Sequence, residues 1–116
     1  MSNLESRKAA IASRLRTARE MAGLSQGQAA KLLGVHRPSI SEIEAGRRKV
    51  SADELVELAR IYHVSMTWLS CADTDEPDPA ADRVALAARE LSKLKYEDLD
   101  RVLELLKALR GSEDQE

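Results

Sequence analysis

The chain has 116 residues, 43% of them apolar, with no Phe, one Trp and two Tyr, so any core is mostly aliphatic. Its apolar runs are only a few residues long, which excludes a membrane span, and "MSNLESRKAA" lacks the apolar stretch of a secretion signal. The formal net charge of −2 hides an asymmetry: residues 1–70 carry 11 Lys and Arg against 7 Asp and Glu, a net +4, while residues 71–116 carry 7 against 13, a net −6. A basic front and an acidic back suggest a part that binds a polyanion joined to a part with another task. Cys71 is the lone cysteine; it allows no internal disulfide and fits a reducing cytoplasm.

No segment alternates like a strand, and helical spacing dominates. Ile11, Leu15, Ala18 and Ala22 share about one helical face, and Gly23 ends that helix in a left-handed turn. Ser25 is a good N-cap, and Gln28 completes a capping box. Ala29, Ala30, Leu32 and Leu33 carry a short helix to Gly34. The stretch "RPSISEIEA" predicts a third helix over Arg37–Ala45, closed by Gly46. Pro38 has no N–H to lose and suits the first turn. Ser51 caps a fourth helix, with Glu54 at the capping-box position and Leu55, Leu58, Ala59 and Tyr62 on its apolar face. Ser65 caps a very short fifth helix carrying Met66, Trp68 and Leu69.

"CADTDEPDPAAD" then reads as a linker, with two prolines, five acids and no large apolar side chain. Two amphipathic helices follow, broken near Lys95. The first carries Val84, Ala87, Ala88, Leu91 and Leu94, and the second Leu99, Val102, Leu103, Leu106 and Leu109. Gly111 and "SEDQE" read as a frayed tail. The expected organisation is therefore all-α: residues 1–70, a linker at 71–81, a helical hairpin at 82–110 and a disordered tail at 111–116.

The third helix has a shape that asks for a use. About eight residues make a rod roughly 12 Å long, which suits the major groove of DNA, itself about 12 Å wide. Ile40 and Ile43 form one face for packing. Ser39, Ser41 and Glu42 leave the other face short and polar, and Arg37 projects ahead of it. Gly34 sits at the tight turn before it, a recurring place for glycine between two such helices.

At these residues the chain resembles a known family. "GLSQ", "AAKLLGV", "SISEIEAG" and "LARIYHVSMTWL" occur in the order found in the helix-turn-helix domain of the lambda-repressor/Cro-like, or XRE, family. The resemblance covers about Leu15 to Leu69. It implies a five-helix domain whose second and third helices read DNA. It places Arg37, Pro38, Ser41 and Glu42 against base edges. Arg37 would pair with guanine, and Glu42 would accept from cytosine, act as a tether for Arg37 or simply repel wrong sites. Ser25, Gln26, Ser39, Arg47, Arg48 and Lys49 are assigned to the DNA backbone, and Arg19 with Glu44 to an internal ion pair. Relatives that read bases with glutamines differ from this chain at the same helix, so sequence preference does not carry over.

Bland readings stand beside these. Arg47–Lys49 alone would be a solvated charge run, His36 an N-cap or phosphate neighbour, His63 a helix-end residue, and Trp68 core. No nucleophile–base pair, zinc-ligand spacing, cofactor motif or ligand pocket is evident, so an enzyme is not expected.

The last two helices are each too short to be stable alone. Val84, Ala88, Leu91, Leu99, Val102, Leu103, Leu106 and Leu109 are therefore read as a dimerisation surface, since Leu105 falls off the main stripe and leaves apolar area for another copy; the plainer alternative is that the two helices fold back onto the five-helix domain as extra packing. The expected function is a homodimeric repressor on double-stranded DNA with a pseudo-palindromic operator. The alternative is an antitoxin or immunity-type module whose toxin-like partner it sequesters. The stretch from Glu42 to Leu69 also resembles regulators that accompany ImmA/IrrE-type zinc metallopeptidases. That resemblance implies a peptidase partner, with Leu94 and Lys95 as the cleavage region.

Overall fold

The computed structural model describes residues 3–73 and 78–114, with side chains over 4–73 and 78–111. Its described residues form seven helices and no strands: α1 (Asn3–Met21), α2 (Gln26–Leu33), α3 (Arg37–Glu44), α4 (Ala52–Tyr62), α5 (Met66–Leu69), α6 (Pro79–Ser92) and α7 (Tyr96–Asp114).

Local signals start and stop these helices as the residues foretell. The Ser25 hydroxyl accepts from the Gln28 N–H at 3.0 Å, and the Gln28 carboxamide accepts from the Ser25 N–H at 2.8 Å. Ser51 and Glu54 repeat this reciprocal box at 3.1 and 2.9 Å, and the Ser65 hydroxyl accepts from the Trp68 N–H. Each box satisfies two backbone donors that a helix start would otherwise leave unmet. Gly34, at φ 82°, closes α2 in the left-handed region that a Cβ disfavours. That turn points the chain straight into α3. His36 occupies the N-cap of α3 without a side-chain hydrogen bond, and His63 closes α4 in left-handed geometry. The third helix ends at Glu44, one residue before the expected Ala45, which is its C-cap.

The chain divides into two compact units, Met1–Leu86 and Ala87–Glu116. In the first, Leu15, Ala18, Ala30, Ile40, Ile43, Leu58 and Leu69 belong to one buried cluster with Tyr62 and Trp68. Ile40 and Ile43 hold α3 to this core, as their spacing requires. Burying such side chains stabilises by roughly 1.5–3 kcal/mol each.

The expected boundaries move in two places. The hairpin at 82–110 is not a separate piece: Asp82 and Leu86 on α6 are buried within the first unit, and Leu86 joins its core. The expected linker is correspondingly shorter, since Cys71 is buried and Pro79 already begins α6; residues 74–77 within it lie outside the described residues. The expected tail also starts later, because α7 continues through Gly111 to Asp114. A single glycine costs a helix only about 1 kcal/mol, too little to end one that has run since Tyr96. Residues 115 and 116 lie outside the described residues.

Arg14 explains why α6 begins on the first unit. It is only 2% exposed, yet charged. Its Nε and Nη2 donate to the two Asp82 carboxylate oxygens, both at 2.9 Å. Its Nη1 donates to Asp73 at 2.6 Å and to the Trp68 carbonyl. Its guanidinium carbon stands 4.9 Å from the Trp68 ring centroid. Burial works against its charge, but the hydrogen bonds to Asp82 and Asp73 outweigh that and raise its pKa. Cys71 supports the arrangement. Its buried left-handed turn, at φ 61°, leads the chain from α5 to Asp73, and burial pushes its thiol pKa up, which makes it inert.

Candidate nucleic-acid interface

The second and third helices present one continuous surface. Ser25 is exposed at the start of α2, and Gly27 follows within the first turn. A Cβ at Gly27 would lie 4.0 Å from Cδ of Arg37. The Arg37 stem therefore passes close to the first turn of α2. A helix start favours an anion. Arg37 and Pro38 are exposed, Ser39, Ser41 and Glu42 are half-buried, and Ile40 and Ile43 face inward. The polar edge of α3 thus stands outward on the side opposite its packing, which is the geometry a groove-reading helix requires.

The Arg19–Glu44 pair sits behind this surface. Arg19 Nε and Nη2 donate to Glu44 at 2.7 and 3.1 Å, and Nη1 donates to the Leu24 carbonyl at 2.7 Å. The Glu44 side chain is 4% exposed. The pair ties the end of α1 to the end of α3 across the α2 turn. Its hydrogen bonds to Glu44 raise the Arg19 pKa. Gln26, expected on phosphate, donates from Nε2 to Glu44 Oε1 at 3.2 Å. Its carboxamide is therefore partly engaged inward.

Glu42 takes a partner that the sequence readings did not name. Arg47 donates to it through Nε at 2.7 Å and Nη2 at 3.2 Å, and this contact lowers the Glu42 pKa. The tether runs to Arg47 and not to Arg37, because Gly46 at φ 77° turns the loop back over the end of α3. Arg48 donates to Glu54 at 2.9 Å through Nη2. The hydrogen bond from the Ser51 N–H, aided by Arg48, lowers the Glu54 pKa. Lys49 is exposed and forms no ion pair among the described residues. Exposed pairs such as Arg47–Glu42 are worth about 0–1 kcal/mol, so a phosphate can displace the carboxylate at small cost.

In the second unit Leu103, Leu105, Leu106 and Leu109 are exposed on α7, while Leu91, Leu99 and Val102 are half-buried. Val84 and Ala88 are exposed on α6. Leu94 and Lys95 fall in the break between α6 and α7, and Leu94 is 40% exposed. Arg14, Asp73 and Asp82 were not foreseen as a cluster. The available signal was one arginine on the otherwise apolar face of Ile11, Leu15 and Ala18, and the four-residue spacing of Asp82 and Leu86.

The sequence profile of the HTH_3 family, described as helix-turn-helix, matches residues 15–69. The uncharacterized HTH-type transcriptional regulator YobD of Bacillus subtilis is 39% identical over 70 residues, which span 60% of this chain and 62% of YobD, less than two thirds of that relative. The HTH-type transcriptional regulator DicA of Escherichia coli is 30% identical over 112 residues, spanning 95% of this chain and 76% of DicA. Among solved structures, the clp gene regulator ClgR from Corynebacterium glutamicum matches at a TM-score of 0.53 and 27% identity, covering 85% of this chain and 90% of ClgR.

Proposed function

From the premise that this chain belongs to the helix-turn-helix family of HTH-type transcriptional regulators, we propose that it is a homodimeric repressor that occupies a pseudo-palindromic operator. The observation that carries this reading is the exposed edge of α3, with Arg37 and Pro38 leading it and a cationic loop at its far end. Arg37 reads a guanine in each half-site, and Ser41 accepts or donates to a neighbouring base edge. Ser25, Ser39, Arg47, Arg48 and Lys49 hold phosphates and set the register. Glu42 exchanges Arg47 for a cytosine amino group only where phosphate takes Arg47 away. Gln26 holds Glu44 and donates to phosphate with its second amide hydrogen.

One domain offers few contacts. Two half-sites one helical turn apart, about 34–36 Å, multiply them if the protein is dimeric. The exposed apolar side chains Leu103, Leu105, Leu106 and Leu109, beside half-buried Leu99 and Val102, support the same reading, since a second copy would cover them. That surface would equally suit a different protein partner in a one-to-one complex, which is the antitoxin reading. Repression ends, in this proposal, when a zinc metallopeptidase cuts at Leu94–Lys95, where the chain is non-helical and an apolar side chain is accessible.

The decisive experiment is selection of bound fragments from the host genome at stated salt, with footprinting and sedimentation of the same protein. Twofold-symmetric protection by a dimer is expected. Protection of a single half-site by a monomer would overturn the dimeric repressor.

A further inference from the structure

We infer that the first unit holds a binding site for a small organic anion with an apolar body, a carboxylate of about the size of benzoate, against the back of the cationic loop. The site is a cavity of about 150 Å³. Ile11, Leu15, Ile43 and Val50 form its apolar wall, and Leu4 stands at its mouth, 70% exposed. A cavity of about this volume accepts benzene, so the space, which opens to solvent past Leu4, fits one ring or a branched aliphatic group. Its occupant is set by charge. Arg7, Lys8 and Lys49 also line it, all three exposed, and none forms an ion pair among the described residues. Arg48 lines it too and is paired with Glu54. No carboxylate lines it among the described residues. Glu5 and Glu44 line a groove that shares Lys8, Ala12 and Gly46 with the cavity; Glu44 is held by Arg19, and Glu54 is held by Arg48. An apolar pocket edged by unpaired cations favours an amphipathic anion over a neutral molecule of equal size, and its volume holds no more than one such group.

The site shares Arg48 and Lys49 with the loop assigned above to phosphate, and its regulatory consequence rests on that assignment. A bound carboxylate would neutralise these cations and lower affinity for DNA, which makes the pocket an effector site.

Benzoate, with benzyl alcohol as its neutral counterpart, tests the site in the full chain by amide shift titration. Saturable shifts are expected at Ile11 and Val50, with benzyl alcohol about two- to fivefold weaker. Lys8→Gln should weaken benzoate about two- to fivefold and leave benzyl alcohol unchanged. Ala12→Met, which fills the cavity from α1, should abolish both; if that variant does not fold, Lys8→Gln decides. Absence of saturable shifts at these residues, equal binding of the two probes, or benzoate binding undiminished by Lys8→Gln would overturn the proposal. Operator affinity should fall about two- to fivefold for each cation neutralised when benzoate saturates the protein at constant ionic strength. Unchanged affinity would overturn the effector role. A protein that binds benzoate but no DNA in its absence would instead refute the DNA-binding reading.

Discussion

At the scale of single residues, buried charges and hydroxyls give the clearest expectations. Glu44 accepts two hydrogen bonds from Arg19 and one from Gln26 in a site that water scarcely reaches. Glu44→Ala should leave Arg19 uncompensated and cost on the order of 3–5 kcal/mol. Thermal melting checks this, and an unchanged melting temperature together with lost DNA binding would contradict the structural role. Tyr62 predicts behaviour in alkali. Burial, aided by Glu44 and opposed by Arg19, pushes its hydroxyl up to about 12, against about 10 in an unfolded chain. Below pH 10 both states keep the proton, and this group contributes no pH dependence. Between about pH 10 and 12 only the unfolded state releases it, so stability falls by about 2–3 kcal/mol across that window. Urea unfolding of Tyr62→Phe should show a flatter decline there than the wild type. Parallel curves would mean that the hydroxyl ionises as readily folded as unfolded.

At the scale of elements, α3 and the loop after it divide base reading from backbone holding. Arg37→Ala should relax specificity at one position of each half-site, at about 1–3 kcal/mol per lost bidentate contact. Lys49→Ala should weaken cognate and scrambled DNA alike and reduce the salt slope by about one unit. Arg48→Ala removes a cation already shared with Glu54, so its effect should be the smaller of the two loop substitutions. Binding isotherms at several salt concentrations separate these outcomes. If Arg37→Ala and Lys49→Ala behave identically on both DNAs, the division is mistaken. On α7, Leu106→Glu would place a charge in the exposed stripe, and sedimentation should show dimer dissociation without loss of helix content.

At the scale of the molecule, the first unit does not end at Leu69. Asp73, Asp82 and Leu86 all belong to it. A chain truncated after Leu69 removes both carboxylates that hold Arg14, and should unfold more readily than one truncated after Ser92. Within the full chain, Asp82→Ala should cost about 3–5 kcal/mol, and Leu86→Ala about 2–5 kcal/mol. Both losses should appear as a lowered melting temperature at protein concentrations where the oligomeric state is unchanged. A truncation after Leu69 as stable as the longer chain would show that α6 adds nothing to the unit.

The residues alone determined whatever depends on near neighbours in the chain. Ser25 with Gln28 and Ser51 with Glu54 are three apart, so both capping boxes are legible without a structure. Gly34 before Pro38, and Ile40 three residues before Ile43, specify a tight turn and a helix with one apolar face. The Arg19–Glu44 pair joins residues 25 apart, and it was legible only because the chain resembles a family that carries it. Other features depended on which distant groups the packed helices bring together. Arg14 and Asp82 lie 68 positions apart, and no periodicity links them. The choice of Arg47 over Arg37 as partner of Glu42 followed from the left-handed turn at Gly46. The cavity behind the cationic loop arises because α1, the end of α3 and Val50 meet without filling the space between them. Packing volume is a property of three converging surfaces, and no one segment of sequence encodes it.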